Sequence, residues 1–213
     1  MKKIFSLAVA VMLSAVSFAQ TEVGGFFFAP KAGLSVASLT NAPDKYTNKP
    51  GFAVGVEVGY QMTENFAITV DALYSGQGME CEEKTYYTDV HTTYENYENK
   101  VSLDYLNIPI LANYYIVKGL AVKAGIQPCI LVSAKSKVKG TLHDGTEETD
   151  IKDNLNSIDF SIPVGLSYEW NNIILDARYN IGITNVNKSG KGFNNKDNKN
   201  SVFQLTLGYK LPF

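Results

Sequence analysis

Residues 104–135 read DYLNIPILANYYIVKGLAVKAGIQPCILVSAK, two runs with a repeat of two joined by a tight hairpin at Val117-Lys118-Gly119. In the second run Leu120, Val122, Ala124, Ile126, Ile130 and Val132 fall on one face. Lys123, Gly125, Gln127, Ser133 and Lys135 fall on the other, because successive strand side chains alternate between faces. The same alternation predicts strands at 29–39, 52–62, 66–75, 100–116, 120–135, 158–170 and 173–185, and an eighth closing at Phe213. In the second of these, Phe52, Val54, Val56, Val58, Tyr60 and Met62 oppose Ala53, Gly55, Glu57, Gly59 and Gln61. In the fourth, the apolar set changes parity between Tyr105 and Leu106, and Pro109 stands in the run. A bulge in that strand accounts for both, since proline cannot donate to a ladder and a bulge re-aims the side chains beyond it.

The connections alternate in length. Short turns lie at 63–65, 117–119 and 171–172, and long polar segments at 41–51, 79–99, 138–156 and 187–200. All four long segments therefore fall at one end. Short turns at one end and long loops at the other are the mark of an all-β, eight-stranded antiparallel up-and-down transmembrane β-barrel. A soluble eight-stranded barrel of the lipocalin kind would carry its apolar face inside. Strand 158–170 alone offers Ile158, Phe160, Ile162, Val164, Leu166, Tyr168 and Trp170, and the last strand adds Phe203, Leu205, Leu207, Tyr209, Leu211 and Phe213. Eight such faces overfill an interior only just wide enough for side chains. The apolar face is expected outside, against outer-membrane lipid.

Composition changes this picture little, and the N-terminus changes it more. Lys2-Lys3, the apolar stretch 4–16 and the small residues around Ala19 read as a signal peptide over 1–19, with the barrel domain over 20–213. Without Lys2 and Lys3 there are 17 bases against 21 acids, a net charge of −4 that gives no reason to expect nucleic acid as a partner. Past the signal no apolar run approaches the ~20 residues of a membrane helix. Cys81 and Cys129 could pair in an oxidising compartment, but two cysteines make no framework.

Parity sends charges of both signs inward: Glu57, Asp71, Asp159, Glu169 and Asp176 against Lys31, Lys123, Lys135, Arg178 and Lys210, with Asp104 joining if the fourth strand keeps its early parity. Charges held in a narrow barrel need partners, so the expectation is a salt-bridged, side-chain-filled interior rather than a pore. Tyr60, Phe66, Tyr114, Trp170 and Phe213 fall near the turn end, where an aromatic girdle belongs.

Candidate chemistry concentrates in the long loops. Segment 79–99 carries Tyr86, Tyr87, Tyr94 and Tyr97, and six acids against the single base Lys84 give it a charge of −5. Tyrosines in a polar loop supply contact area at low entropic cost, so these four are candidate contacts for an envelope or extracellular protein partner. The last loop is the opposite, with Lys188, Lys191, Lys196 and Lys199 against Asp197. The only histidines, His91 and His143, fall in loops beside Asp89 and Asp144. An outer-membrane protease or lipid deacylase built on them is the alternative to a non-enzymatic barrel. No spacing suggests a metal site or cofactor.

YLNIPILANY, GIQPCILVSAK, LDARYNIGITNV, the ending SVFQLTLGYKLPF and the early PKAGLSVASL together resemble the PorT-like outer-membrane β-barrel family. The resemblance spans nearly all of 20–213 and implies an OmpX-sized barrel in a Gram-negative outer membrane. One branch of that family assists a protein secretion system, so an accessory role in export is a further implication. Tyr209, Leu211 and Phe213 resemble the C-terminal signal read by the barrel-assembly machinery, with Pro212 as a departure from it.

Overall fold

In the computed structural model the described residues are 21–42, 46–87, 93–140, 146–188 and 197–212. Within these, the side chains of 82–87, 93–98, 140, 146 and 212 are excluded from description, and the segment expected to be a signal peptide lies outside the described residues. The strands are β1 (Phe26–Leu39), β2 (Tyr46–Thr63), β3 (Phe66–Tyr87), β4 (Thr93–Asn107), β5 (Ile110–Val117), β6 (Leu120–Gly140), β7 (Thr146–Asp150), β8 (Ile158–Trp170), β9 (Ile173–Gly182), β10 (Asn200–Tyr209) and β11 (Leu211–Pro212). A 3-10 turn, Lys152–Asn154, follows β7.

Neighbours pair antiparallel in chain order, and β10 pairs with β1, Lys31 opposite Gly208 through Leu39 opposite Asn200. That last ladder closes the sheet. β4 and β5 form one stave interrupted at Ile108-Pro109, β10 and β11 form another, and β7 adds a short hairpin to β6. Eight staves result, and the ring is an up-and-down barrel.

The turns follow from local chemistry. Asn171 and Asn172 both have positive φ, 45° and 68°, as the commonest two-residue hairpin requires and asparagine tolerates. Gly119, at φ 84°, closes the 5–6 hairpin. On the staves the expected outward set is exposed, from Phe52, Val54 and Val58 on β2 to Phe203, Leu205 and Leu207 on β10. Tyr60 and Tyr114 stand exposed at the turn end, Tyr60 with its ring centroid 4.7 Å from that of Phe26.

Several expectations are corrected. Segment 79–99 is not a loop over most of its length: β3 and β4 continue as a paired hairpin from Met79 opposite Val101 to Tyr87 opposite Thr93. β2 begins at Tyr46 inside the expected first loop, β7 lies inside the third, and β9 stops at Gly182. The bulge sits in a different strand. Asp104 faces Ser133 while Tyr105 faces Leu131, so Val132 of β6 is the extra residue. Inward positions on the fourth stave stay odd throughout, Val101, Leu103, Tyr105, Asn107, Leu111 and Asn113. The apolar set changes parity there because the interior itself changes character, from polar near the turns to apolar near the loops.

Candidate functional site: the barrel interior and its loop end

Near the turn end six charged side chains from five strands meet inside the barrel. Lys31 lies 2.7 Å from Glu57 and 3.5 Å from both Asp71 and Asp176. Lys123 lies 2.6 Å from Asp176 and 3.3 Å from Glu57. Arg178 reaches Asp71 through Nη2 at 2.9 Å and Asp176 through Nε at 3.0 Å. Three cations and three carboxylates, all buried, leave no net charge. That balance is what makes the cluster tolerable, since an uncompensated buried ion costs several kcal/mol. Closer to the turns, Lys210 lies 2.7 Å from Glu169 and 4.3 Å above the Phe27 ring, and the Tyr115 hydroxyl donates to Glu169 at 2.6 Å. Phe27 fits only because position 59 is glycine, where a Cβ would come within 2.2 Å of the ring.

Above this network lies a band of neutral polar groups. Asn107 and Gln77 both donate to Ser75, Asn180 donates to Gln204, and Gln127 donates to Ser161. Asp159 belongs to this band and accepts from Tyr105 at 2.5 Å. Among the described residues no lysine or arginine pairs with it.

Beyond the band the interior becomes an apolar core. Leu39, Met79, Val101, Leu103, Tyr105, Cys129, Leu131, Ala134, Leu155 and Val186 form one buried cluster. Leu155 and Val186 come from the connections after β7 and β9, which fold across the barrel mouth and are held there by backbone bonds from Asn156 to Val186 and from Val186 to Asn198. Asparagines complete the fastening: Asn198 donates to Thr40, Asn156 to Asn185, and Asn187 to Asn198. Sequence reasoning missed this core. Leu155 and Val186 are isolated apolar residues in polar segments, and that isolation was the available signal.

Of the ten charges expected in the interior, Lys31, Glu57, Asp71, Lys123, Asp176 and Arg178 come together, Glu169 and Lys210 form a second group, and Asp159 stands apart. Lys135 is a correction. The bulge at Val132 turns it outward, where it is exposed and paired with Glu148 of β7. Lys137 joins the same carboxylate at 2.7 Å. Their hydrogen bonds, Lys135 first, hold the Glu148 carboxyl down at about 2 and raise Lys135. Asp104 also faces outward, against Tyr74. The backbone register sets Tyr86 opposite Tyr94; the side chains of Tyr86, Tyr87, Tyr94 and Tyr97 lie outside the described residues, as do His91 and His143. Tyr209 is exposed, Leu211 pairs with Phe28, and Phe213 lies outside the described residues. Cys81 and Cys129 are separate buried thiols. Among the described residues no three His, Cys, Asp or Glu side chains gather as a metal site.

A closed eight-stave barrel with a polar interior and an exposed apolar belt is the architecture of a bilayer-spanning strand protein. The family model for the outer membrane protein beta-barrel domain matches residues 18–188, and the chain belongs to that family. It is an outer-membrane protein of the Gram-negative envelope. No curated protein matches the sequence. Among solved structures it is similar to Ail, the attachment invasion locus protein of Yersinia pestis, in complex with the heparin analogue sucrose octasulfate, at 14% identity over 89% of this chain and 100% of that one, with a TM-score of 0.47. Neisserial surface protein A is similar at 16% identity, over 88% of this chain and 97% of that one, with a TM-score of 0.42. OprG from Pseudomonas aeruginosa follows at 12% identity, 90% and 98% coverage and a TM-score of 0.39.

Proposed function

We propose that this barrel is a non-enzymatic anchor that carries a binding surface outside the outer membrane. The observation behind this reading is the length of three neighbouring strands. β3, β4 and β6 are 22, 15 and 21 residues long, whereas a tilted strand crosses the bilayer in about 9–11 residues. The excess is paired rather than loose, and β7 widens it. The outer parts of β3, β4, β6 and β7 thus stand up as one hydrogen-bonded sheet carrying Tyr86, Tyr87, Tyr94 and Tyr97. A rigid sheet rich in tyrosine and negative charge suits a basic or polar protein surface better than it suits catalysis.

The interior in this reading is closed: charge network, polar band and apolar core fill it in turn, and it passes no ions. In planar bilayers the purified protein is expected to show no stable conductance steps. Large, long-lived steps would overturn the closed interior. The binding role is tested by replacing 82–97 with a short Gly/Ser turn and crosslinking in intact envelopes. Assembly and heat-modifiable migration should persist while a neighbour disappears from the crosslinked set. An unchanged set of neighbours would move recognition to the barrel wall. If the lost neighbour is a component of an export assembly, the accessory role implied by the PorT-like resemblance follows; an extracellular protein would mark the sheet as adhesive.

A further inference from the structure

Asp159 is buried, at 4% exposure, and its charge is the one left over in the described interior. The six-member network is balanced at three against three, and Glu169 is matched by Lys210. The other buried cation, Lys49, donates to the Gln77 carbonyl at 2.9 Å and has Asp104, Glu80 and Lys100 as its charged neighbours, two acids for two bases. Tyr105 gives Asp159 one hydrogen bond on Oδ2, and Oδ1 receives none.

That unpaired oxygen does not stand alone. Asp159 lines a cavity of about 10 Å³ together with Gln127, Asn180 and Asn200. The Gln127 amide nitrogen is committed to Ser161 and Cys129, and that of Asn180 to Gln204. Their oxygens, Gln127 Oε1 and Asn180 Oδ1, are buried without partners, and so is Asn200 Oδ1. Gln127 and Asn180 are themselves 1% and 2% exposed. In this amide orientation, four unpartnered acceptors with one formal negative charge belong to residues lining a space the size of a single water-sized particle, while Gln204 Nε2 beside Asn180 also lacks a partner. A water has two protons to give and no charge. A proton on Asp159 alone would serve one acceptor and leave two unmatched; a proton and a water together would serve all three amide oxygens, an arrangement that comparing salts distinguishes from an ion. A cation held among these oxygens would need no donor and would cancel the charge.

We propose that this cavity binds one monovalent alkali cation. Asp159 supplies the charge, and the amide oxygens of Gln127, Asn180 and Asn200 replace the ion's water. Oxygen donors suit a hard ion rather than a transition metal, and one uncompensated carboxylate selects a single positive charge. The ion would lock the polar band directly beneath the apolar core and so couple β6, β8, β9 and β10.

The test compares the full-length protein in detergent at pH 8 in NaCl, KCl and choline chloride of equal ionic strength, reading the unfolding temperature. For wild type the midpoint should be higher in NaCl or KCl than in choline by about 2–4 °C, rising with concentration and saturating. In Asp159→Asn the three salts should give one midpoint. Should that variant fail to assemble, the ¹³C shift of the Asp159 carboxyl in wild type decides, by moving with Na⁺ or K⁺ and not with choline. A wild type indifferent to the cation overturns the proposal, whether the carboxyl proves protonated or hydrated. A response to millimolar Ca²⁺ that exceeds both alkali ions overturns the monovalent assignment.

Discussion

The two halves of the barrel interior solve the same packing problem in opposite ways. Toward the turns the interior is ionic and the exterior apolar: Lys31, Glu57, Asp71 and Arg178 point in, while Val58, Ile68 and Val70 point out. Toward the loops the polarity inverts. Met79, Leu103 and Leu131 point in, while Lys135, Lys137 and Glu148 face out and pair with one another. The inversion follows the solvent. Where the wall meets lipid, apolar residues belong outside and polar ones must find partners inside. Where the wall rises into water, the ordinary soluble arrangement returns and the interior becomes a hydrophobic core. The same strands thus carry a membrane-barrel pattern toward the turns and a soluble-type pattern, apolar inside and charged outside, toward the loops.

The largest loss of stability is expected in the ionic half. Arg178→Ala leaves Asp71 and Asp176 each short of a partner, and removing one member of a buried ion group costs about 3–5 kcal/mol. Urea unfolding of the refolded protein in micelles should show that loss, with little recovery in high salt because the site is dry.

Leu103→Ala probes the apolar half. It creates a cavity in a packed core, which costs about 2–5 kcal/mol by the same measurement. The two substitutions sit in different clusters, and combining them should give the sum of the separate losses within about 0.5 kcal/mol. A large departure from the sum would mean that the two halves are energetically coupled across the polar band.

Tyr105→Phe tests the boundary between the halves. The ring stays in the apolar core, but Asp159 loses its hydrogen bond, at a cost of about 1–3 kcal/mol. If the unfolding free energy does not change, the ring rather than the hydroxyl is the contribution that counts.

The smallest effect belongs to the exposed pairs. Glu148 has its carboxyl lowered from 4.5 to about 2 by Lys135 and Lys137. A depressed acid stabilises the folded state above its unfolded value and loses that contribution as pH falls from about 4.5 toward 2. Because the group is exposed and its ion pairs are screened, Glu148→Gln should lower the unfolding midpoint at pH 7 only slightly. An NMR titration should place the Glu148 midpoint below the ordinary glutamate value in wild type. A midpoint near 4.5 would show that the outer hairpin is not held against β6.

Much of this molecule is legible from its residues. Alternation is a local property, so the outward faces of β2, β6, β8 and β10 can be assigned position by position, and Asn171-Asn172 and Gly119 announce their turns. The count of short and long connections yields eight staves. Lys31, Glu57, Asp71, Lys123, Asp176 and Arg178 are placed inward by parity alone. Their grouping is another matter. Lys31 and Asp176 are 145 positions apart and meet only because β10 closes on β1 and draws β9 alongside.

Three features required the tertiary structure. The bulge at Val132 is a relation between β6 and β4, and one extra residue there reverses every side chain beyond it, which is why Lys135 looks inward by counting and stands outward in fact. The change of parity at Tyr105 marks no irregularity in its own strand; it records the change of solvent along the barrel, which no single strand encodes. Leu155 and Val186 enter the core only because backbone bonds between two loops carry them over the mouth. The sequence by itself determined which residues could face lipid. Closure, register and the folded loops decided which charges neutralise each other and where the hydrophobic core begins, because each depends on contacts between segments far apart in the chain.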